Sequence, residues 1–286
     1  TADVYSAWVP GNEGGDSEAI IGRWLRRSGK RDQVVIATKV AKWSKHPGLA
    51  PANIRAAAEE SLQRLGVERI DLYFSHEDDP KVPIADSVGA MARAIEAGKI
   101  GAYGVSEWSS AHIREAHAVH PVGAVQTEYS LWTRNVELAV LETCRELGIA
   151  FVAFSPVGRG ALGAELKDPS TLEETDLRTK MPRFDARNWP HNLALIEKFA
   201  ALASDAGVTP GQLALAWLLS RGEHVHVIPG TTSLRHLEDN HRAWGLDVSD
   251  EVLAAAGSLI NEETVSGHRY HDAIRPTIDT EEFEPA

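Results

Sequence analysis

The chain has 286 residues, of which 43% are hydrophobic and 24% charged, and its formal net charge is −12. This composition excludes a disordered or fibrous protein, and the acidic balance argues against a nucleic-acid partner or an anionic membrane surface. The one cysteine, Cys144, excludes an intrachain disulfide. Because no signal peptide and no apolar run of about 18 residues is visible, we expect a cytoplasmic protein that does not enter membranes.

Short apolar runs rich in β-branched residues predict six buried parallel strands. The runs cover residues 34–39, 70–76, 100–106, 123–128, 149–155 and 225–230. Helical patterns lie between them. One covers residues 52–65 and another covers 136–147, with Leu138 and Cys144 on its apolar face, and each stops at a glycine. Thr209 before Pro210 predicts a capped helix start.

The repeated strand–helix units predict an α/β fold. No glycine-rich turn follows the first predicted strand, which favours a closed (β/α)8 TIM barrel over a doubly wound sheet. We expect one domain over residues 1–286, with an irregular tail over residues 266–286. The long connection over residues 157–189 is a candidate lid, because long loops after barrel strands lie on the catalytic face.

Two chemically active side chains close predicted strands. Lys39 ends one apolar run and His76 ends the next, so both are expected at the mouth of the barrel. Considered alone, each of these side chains more commonly has a structural role. Lys39 would be a solvated lysine, His76 a structural histidine and Tyr5 a packed aromatic residue. His224 and His226 alternate along a strand with no carboxylate or thiol set nearby, so no metal site is expected.

Several motifs together resemble the aldo-keto reductases. The motifs are "TADVY", "VVIATK", "IDLYFSHEDD", "GKIGAYGVSEW", "VQTEYSLWTR", "FSPVGRGALG" and "IPGTTSLRHLEDN", in the order and spacing of that family. The resemblance implies a barrel enzyme that uses NAD(P)H to reduce an aldehyde or ketone to an alcohol. It also places Tyr5, Lys39 and His76 on three members of the family's catalytic Asp, Tyr, Lys and His tetrad.

The chemistry of these three side chains is coherent. An ammonium beside a phenol lowers the phenol pKa from its usual value of about 10, so Lys39 would activate Tyr5 as a general acid. His76 would orient the substrate carbonyl. The family's aspartate would stand immediately before Thr1, so we expect roughly 40 to 50 preceding residues that carry the first strand, the first helix and most of the second strand. Asp3 is expected to be a surface or helix-start carboxylate.

The resemblance also implies a set of coenzyme contacts. Phe154 would stack on the nicotinamide, and Ser106, Glu107 and Gln126 would hold its carboxamide. The pyrophosphate would lie against Ser155, Gly158, Arg159 and Gly160, and the adenosine end against Gly230, Thr231, Thr232, Ser233, Arg235, His236, Asp239 and Asn240. Gly230 and His236 stand where the family often has a lysine and an arginine that hold the 2′-phosphate of NADP. NADP(H) is therefore favoured over NAD(H) by a smaller margin than in the family, and NAD(H) is the alternative.

The partner expected is a small-molecule carbonyl compound whose identity the sequence leaves open. Trp8, Trp43 and Trp189 would either line an aromatic pocket or anchor loops by packing, with equal weight. An alternative function is a nucleotide-sensing regulatory subunit that resembles the channel-associated β subunits of the same fold. The intact set of Tyr5, Lys39 and His76 favours the enzyme.

Overall fold

A computed structural model describes residues 1–275 and 278–283. Six parallel strands alternate with helices, which confirms the α/β class and is consistent with a (β/α)8 barrel. The strands are β1 (Ala37–Val40), β2 (Ile70–Ser75), β3 (Ile100–Ser106), β4 (Ala124–Glu128), β5 (Ala150–Phe154) and β6 (Val225–Ile228). The helices of the described residues are α1 (Asp16–Ser28), α2 (Pro51–Leu65), α3 (Ile84–Glu96), α4 (Ser110–Val119), α5 (Val140–Leu147), α6 (Trp189–Asp205), α7 (Pro210–Leu219), α8 (Leu234–Arg242) and α9 (Asp250–Leu259).

The described chain groups into two compact units. Unit 1 comprises Thr1–Gln126 and Thr143–Ile149, and unit 2 comprises Thr127–Glu142 and the described residues from Ala150 onward. The single domain over residues 1–286 stays a prediction. Within the expected tail, residues 276–277 and 284–286 lie outside the described part of the chain. None of the helices formed by residues 1–275 and 278–283 is long and apolar enough to cross a membrane.

In unit 1, the strand register separates two faces of the sheet. Thr38 pairs with Tyr73, and Tyr73 with Tyr103. This row faces the helices, because Thr38 Oγ1 donates to Glu18 of α1 and Tyr103 Oη donates to the Ala116 carbonyl of α4. Side chains alternate along a strand. The neighbouring row therefore lies on the opposite face, and it consists of Lys39, Phe74, Gly104 and Ala124.

The helix ends follow local sequence signals. Thr209 and Gln212 form a capping box at the start of α7, as predicted. Gly66, at φ 67°, ends α2 in the left-handed conformation that glycine adopts most easily. Each end satisfies backbone groups that a helix leaves unpaired.

Some predicted boundaries were wrong. The first strand begins at Ala37 and continues through Val40, whereas the apolar run predicted residues 34–39. The helix predicted over residues 136–147 begins only at Val140, after a 3₁₀ turn at Asn135–Glu137, and Leu138 is 45% exposed. Hydrophobic periodicity does not distinguish a 3₁₀ turn from the first turn of an α-helix. Cys144 is buried, as expected of a core thiol, and burial raises its pKa to about 12.

Gly104 is a sensitive point of the sheet. A Cβ atom there would lie 2.7 Å from the Ala124 carbonyl oxygen and would also collide with the Phe74 ring. We expect Gly104→Ala to lower the free energy of unfolding by about 1–3 kcal/mol, because the backbone oxygen cannot move aside. Gly211→Ala is the matched control, since nothing lies within 4 Å of its Cβ position in α7, and a helical alanine should leave stability unchanged or raise it by up to about 1 kcal/mol. Urea unfolding of both variants measures this, and equal effects would contradict the packing argument.

Candidate active site

Tyr5, Lys39 and His76 come together in unit 1. Lys39 Nζ donates to the Tyr5 hydroxyl at 3.1 Å and to the Thr1 carbonyl at 3.0 Å. The ring centroids of Tyr5 and His76 are 5.6 Å apart with an interplanar angle of 73°. Lys39 is only 4% exposed. A phenol, an ammonium and an imidazole thus lie close together in unit 1.

The backbone positions these three side chains from different elements. Lys39 lies within β1, and His76 directly follows β2, where its N–H donates to the Val40 carbonyl at 2.9 Å and extends the parallel ladder. Tyr5 lies in a series of turns, with its N–H bonded to the Ala2 carbonyl at 3.2 Å. The next residue, Ser6, has φ 77°, and a non-glycine residue in that region carries strain that functional sites often retain.

The site lowers the pKa of both of its bases. Burial and the neighbouring Lys42 ammonium lower the pKa of Lys39 to about 8, against the opposing effect of the Asp3 carboxylate. Burial, followed by Lys39 and Lys42, lowers the pKa of His76 to about 2. His76 is therefore neutral near pH 7, whereas Lys39 changes its charge near pH 8. The His76 Nδ1 atom is buried and has no hydrogen-bond partner among the described residues.

Ser106, Glu107 and Gln126 lie next to this site in the register of the sheet. Ser75 pairs with Val105 and Ser106 pairs with Gln126, so His76, Ser106 and Gln126 fall on one row and one face. Ser106 and Gln126 are buried, and neither side chain makes a hydrogen bond with another described residue. Glu107, at φ 64°, donates its N–H to the Gln126 carbonyl at 3.1 Å. The row offers a hydroxyl and an amide to a ligand.

Asp3 is not the surface or helix-start carboxylate that the sequence suggested. Its side chain is buried, and neither carboxylate oxygen has a hydrogen-bond partner among the described residues. The backbone fixes it, because the Asp3 N–H donates to the Lys39 carbonyl at 3.2 Å and its carbonyl accepts from Gly15 at 2.6 Å. Burial and the carboxylate of Glu18 raise the pKa of Asp3 to about 7. Sequence spacing alone could not reveal this burial.

The tryptophans expected near the substrate differ in exposure. Trp8 is 70% exposed, and its ring lies 6.0 Å from the Tyr5 ring. Trp43 is buried, its indole N–H donates to the Glu13 carbonyl at 3.0 Å, and the Arg64 guanidinium lies 5.2 Å from its ring. Trp189 begins α6 in unit 2 and stacks on Phe184 at 5.4 Å. These contacts favour packing roles for Trp43 and Trp189 and leave Trp8 available to a ligand.

The residues expected around the pyrophosphate lie after β5 in unit 2. Phe154 ends this strand, and Ser155 follows at φ 51°. Gly158, Arg159 and Gly160 are three consecutive residues with positive φ, at 57°, 57° and 89°. The Arg159 guanidinium lies 5.5 Å from the centroid of the Phe154 ring. The segment over residues 157–189 continues as a series of short 3₁₀ turns.

A buried ionic cluster holds Arg159, and the sequence did not predict it. Glu128 at the end of β4 accepts from Arg159 at 2.9 Å, from Arg269 at 3.1 Å and from the Tyr270 hydroxyl at 3.0 Å. Burial alone would raise the pKa of Glu128, but Arg269 and Arg159 outweigh it and lower the pKa to about 2. A carboxylate inside the apolar run 123–128 was the available signal. The tail residues Arg269 and Tyr270 gave none.

The residues expected at the adenosine end surround the start of α8. Ser233 caps this helix by accepting from the His236 N–H, and Thr231 Oγ1 accepts from the Ser233 N–H at 3.0 Å. Arg235 Nη2 lies 2.5 Å and His236 Nε2 3.1 Å from one carboxylate oxygen of Glu165. The remaining members are exposed or partly exposed, namely Gly230, Thr232, Asp239 and Asn240.

The family model and the two relatives described below all belong to the same family. A family model described as "Aldo/keto reductase family" matches residues 1–261. "Aldo-keto reductase str7" of Strobilurus tenacellus is 41% identical over 265 residues, which cover 92% of this chain and 79% of that protein. Aldo-keto reductase yakc of Schizosaccharomyces pombe, whose name carries the qualifier NADP(+), is 39% identical over 266 residues, or 90% of this chain and 78% of that protein. Both names are those of reductases and give no support to a regulatory subunit.

The buried Asp3 makes stability depend on pH. Its pKa is about 7 in the folded protein and 3.8 as an ordinary carboxyl, so the folded state holds a proton that the unfolded chain releases, and stability falls as pH rises from about 4 to 7. We expect Asp3→Asn to remove this loss, which is on the order of 4 kcal/mol for such a shift. In urea unfolding, the gain over the parent should be small at pH 4 and full at pH 8. Asp32→Asn, at an exposed position, is the control, and a gain for Asp3→Asn that does not change with pH would contradict the assignment.

Proposed function

The chain belongs to the aldo-keto reductase family and is an oxidoreductase that interconverts carbonyl compounds and alcohols, and we propose that Tyr5, Lys39 and His76 carry out this reaction with NADP(H) as coenzyme. The observation that carries the proposal is the 3.1 Å hydrogen bond from the buried Lys39 ammonium to the Tyr5 hydroxyl. A buried ammonium that donates to a phenol oxygen stabilises the phenolate and makes the phenol a stronger acid.

Tyr5 delivers the proton in the reduction direction. As the carbonyl carbon is reduced, negative charge develops on the carbonyl oxygen, and the Tyr5 hydroxyl transfers its proton to that oxygen. The resulting phenolate is stabilised by the Lys39 ammonium. In the oxidation direction the same phenolate takes the proton back from the alcohol. Microscopic reversibility therefore gives Tyr5 both roles.

His76 orients the carbonyl oxygen. Its pKa of about 2 keeps the ring neutral, so it donates a hydrogen bond without competing as an acid. Its Nδ1 atom is a buried polar atom without a partner among the described residues. The ring of His76 lies 5.6 Å from that of Tyr5, which is close enough for both side chains to bind one oxygen atom. Two donors on that oxygen fix the carbonyl for attack on its carbon.

The donor set of the chain fits a dinucleotide coenzyme. Ser106 and Gln126 supply a hydroxyl and an amide that make no hydrogen bond with the described residues, and these groups match both sides of a carboxamide. The positive φ values of Gly158, Arg159 and Gly160 turn the backbone sharply, which permits close approach of phosphate oxygens to the main chain. The reduced nicotinamide would supply the hydride. Phe154 would offer its ring face to the same coenzyme, and Arg159 its charge.

The 2′-phosphate of NADP(H) is assigned to the start of α8. Thr231, Ser233, Arg235 and His236 offer hydroxyls and nitrogen donors near a helix N-terminus, where anions are favoured. The relative from Schizosaccharomyces pombe is named for NADP(+), which supports the same choice here. Asn240 would bind the adenine, and NAD(H) is the alternative coenzyme.

The substrate is proposed to be a small aldehyde or ketone with an apolar substituent. The exposed Trp8 ring, 6.0 Å from Tyr5, supplies an aromatic wall for it. The formal charge of −12 disfavours a nucleic-acid partner. We also propose a cytoplasmic location, because a chain with a single cysteine is typical of a reducing compartment.

Tyr5→Phe tests the proton donor. The substitution removes the transferable proton but keeps the ring, so kcat for carbonyl reduction should fall by roughly 10² to 10⁴ while the Kd of the coenzyme stays nearly unchanged. Tyr103→Phe is the matched control. It removes a hydroxyl that only donates to the Ala116 and His120 carbonyls, so kcat should be kept. Steady-state kinetics and coenzyme titration measure both effects, and full turnover by Tyr5→Phe would refute the assignment.

The pKa of Lys39 predicts a pH profile. The side chain is an ammonium below about pH 8 and loses its charge above it, so kcat for reduction should fall as the pH rises through about 8. This apparent pKa belongs to the coupled Tyr5 and Lys39 pair. In Lys39→Met the remaining activity should decline only toward pH 10, the value of an unperturbed phenol. His76→Gln should keep the limb near pH 8, because His76 does not titrate in this range. A profile that Lys39→Met leaves in place would contradict the role of Lys39.

A further inference from the structure

One carboxylate occupies the guanidinium and the imidazole that are expected to bind the 2′-phosphate. Glu165 Oε1 lies 2.5 Å from Arg235 Nη2 and 3.1 Å from His236 Nε2. Hydrogen bonding from Arg235 and then from His236 lowers the pKa of Glu165, so the carboxylate is charged at neutral pH. An acidic group thus stands where the proposed function requires a phosphate.

The position of Glu165 is set by the turn that contains Arg159. Ala164, at φ 60°, ends the 3₁₀ segment Gly158–Gly163, and Glu165 follows it directly. Arg235 and His236 lie in the first turn of α8, whose N-cap is Ser233. The ion pairs therefore connect the loop after β5 to the start of α8, within unit 2.

Two kinds of coenzyme would meet this carboxylate differently. A 2′-phosphate carries more than one negative charge near neutral pH, so it is repelled by Glu165 and must replace it on Arg235 and His236. A ribose 2′-hydroxyl can instead donate a hydrogen bond to a carboxylate, which is how acidic residues bind the ribose of NAD in other folds. The same residue therefore opposes one coenzyme and accepts the other.

We propose that Glu165 is a coenzyme-specificity residue that narrows the preference of this enzyme for NADPH over NADH. The proposal rests on the proposed function, because it assumes that the start of α8 binds the adenosine ribose. It follows from the geometry of one carboxylate shared by Arg235 and His236. The affinity for NADPH is then limited by the contacts of Glu165 with Arg235 and His236, which the phosphate has to break.

Glu165→Gln removes the charge and keeps the shape. We expect the Kd of NADPH to fall by about three- to tenfold, in line with the modest strength of exposed ion pairs, while the Kd of NADH stays equal or rises. Titration calorimetry measures the same difference without turnover. In Glu165→Gln the Kd of adenosine 2′,5′-bisphosphate should fall, and the Kd of adenosine 5′-monophosphate should stay equal or rise. Added salt should shrink the difference between Glu165→Gln and the parent, because exposed charges are screened.

Glu174→Gln is the matched control. Glu174 is an exposed glutamate of the same loop that makes no ion pair with the described residues, so its change alters the net charge equally and should leave the ratio of the two Kd values unchanged. The gain from Glu165→Gln should also be smaller in Arg235→Ala, where the competition for one of the two basic groups has been removed. A misfolded variant would not bind NADPH more tightly than the parent, so the predicted gain separates specificity from structural damage.

Two outcomes distinguish the inference from the function on which it rests. If the parent binds neither NADPH nor NADH, the proposed function fails. If the parent binds NADPH but Glu165→Gln and Glu174→Gln give the same ratio of Kd values, the role of Glu165 is overturned while the proposed function stands. A gain for NADPH that is undiminished in Arg235→Ala would also overturn it, because none of the gain would then come from freeing that cation.

Discussion

The proposed proton transfer depends on a lysine that is held charged inside the structure. Lys39 is 4% exposed, and burying an ammonium is costly unless hydrogen bonds replace its water. The Thr1 carbonyl and the Tyr5 hydroxyl supply two such bonds. Burial and the Lys42 ammonium lower the pKa of Lys39 to about 8, so the side chain is mostly protonated at pH 7 yet close to its titration point, which matches what a proton-transfer partner needs.

The parallel sheet explains why the other groups fall where they can act. Every second residue along β1, β2, β3 and β4 lies on the same face. Lys39 therefore shares a face with His76, Ser106 and Gln126, whose row is two residues further along the strands. The opposite face is used for packing, through Thr38 and Tyr103 against the helices. The chain leaves the sheet sharply after these strands. Ala41 and Glu107 both have positive φ, at 108° and 64°, and such strain is retained where a side chain has to be aimed.

In unit 2, buried and exposed carboxylates position basic side chains. Glu128 fixes Arg159 and brings Arg269 and Tyr270 of the tail against the loop after β5. Glu165 does the same for Arg235 and His236 at the surface. In each case a carboxylate orients basic groups that would bind phosphate. The exposed Glu165 is more easily displaced than the buried Glu128, because ion pairs in contact with water are weaker and their loss leaves no buried charge without a partner.

The sequence by itself determined the α/β class, the six strands and the family, and it selected Tyr5, Lys39 and His76 as candidate catalytic side chains. The class and the strands follow from local signals, namely apolar runs and glycines that stop helices. The family and the candidate trio follow from motifs shared with the aldo-keto reductases. Only the tertiary structure decided the rest. Asp3 is buried beside the site, Arg159 is tied to Glu128 and Tyr270, and Arg235 is tied to Glu165. Each of these features joins or encloses residues by packing, and 111 positions separate Arg159 from Tyr270 in the chain. Neither periodicity nor spacing records such a contact, because burial and ion pairing arise only when distant segments meet.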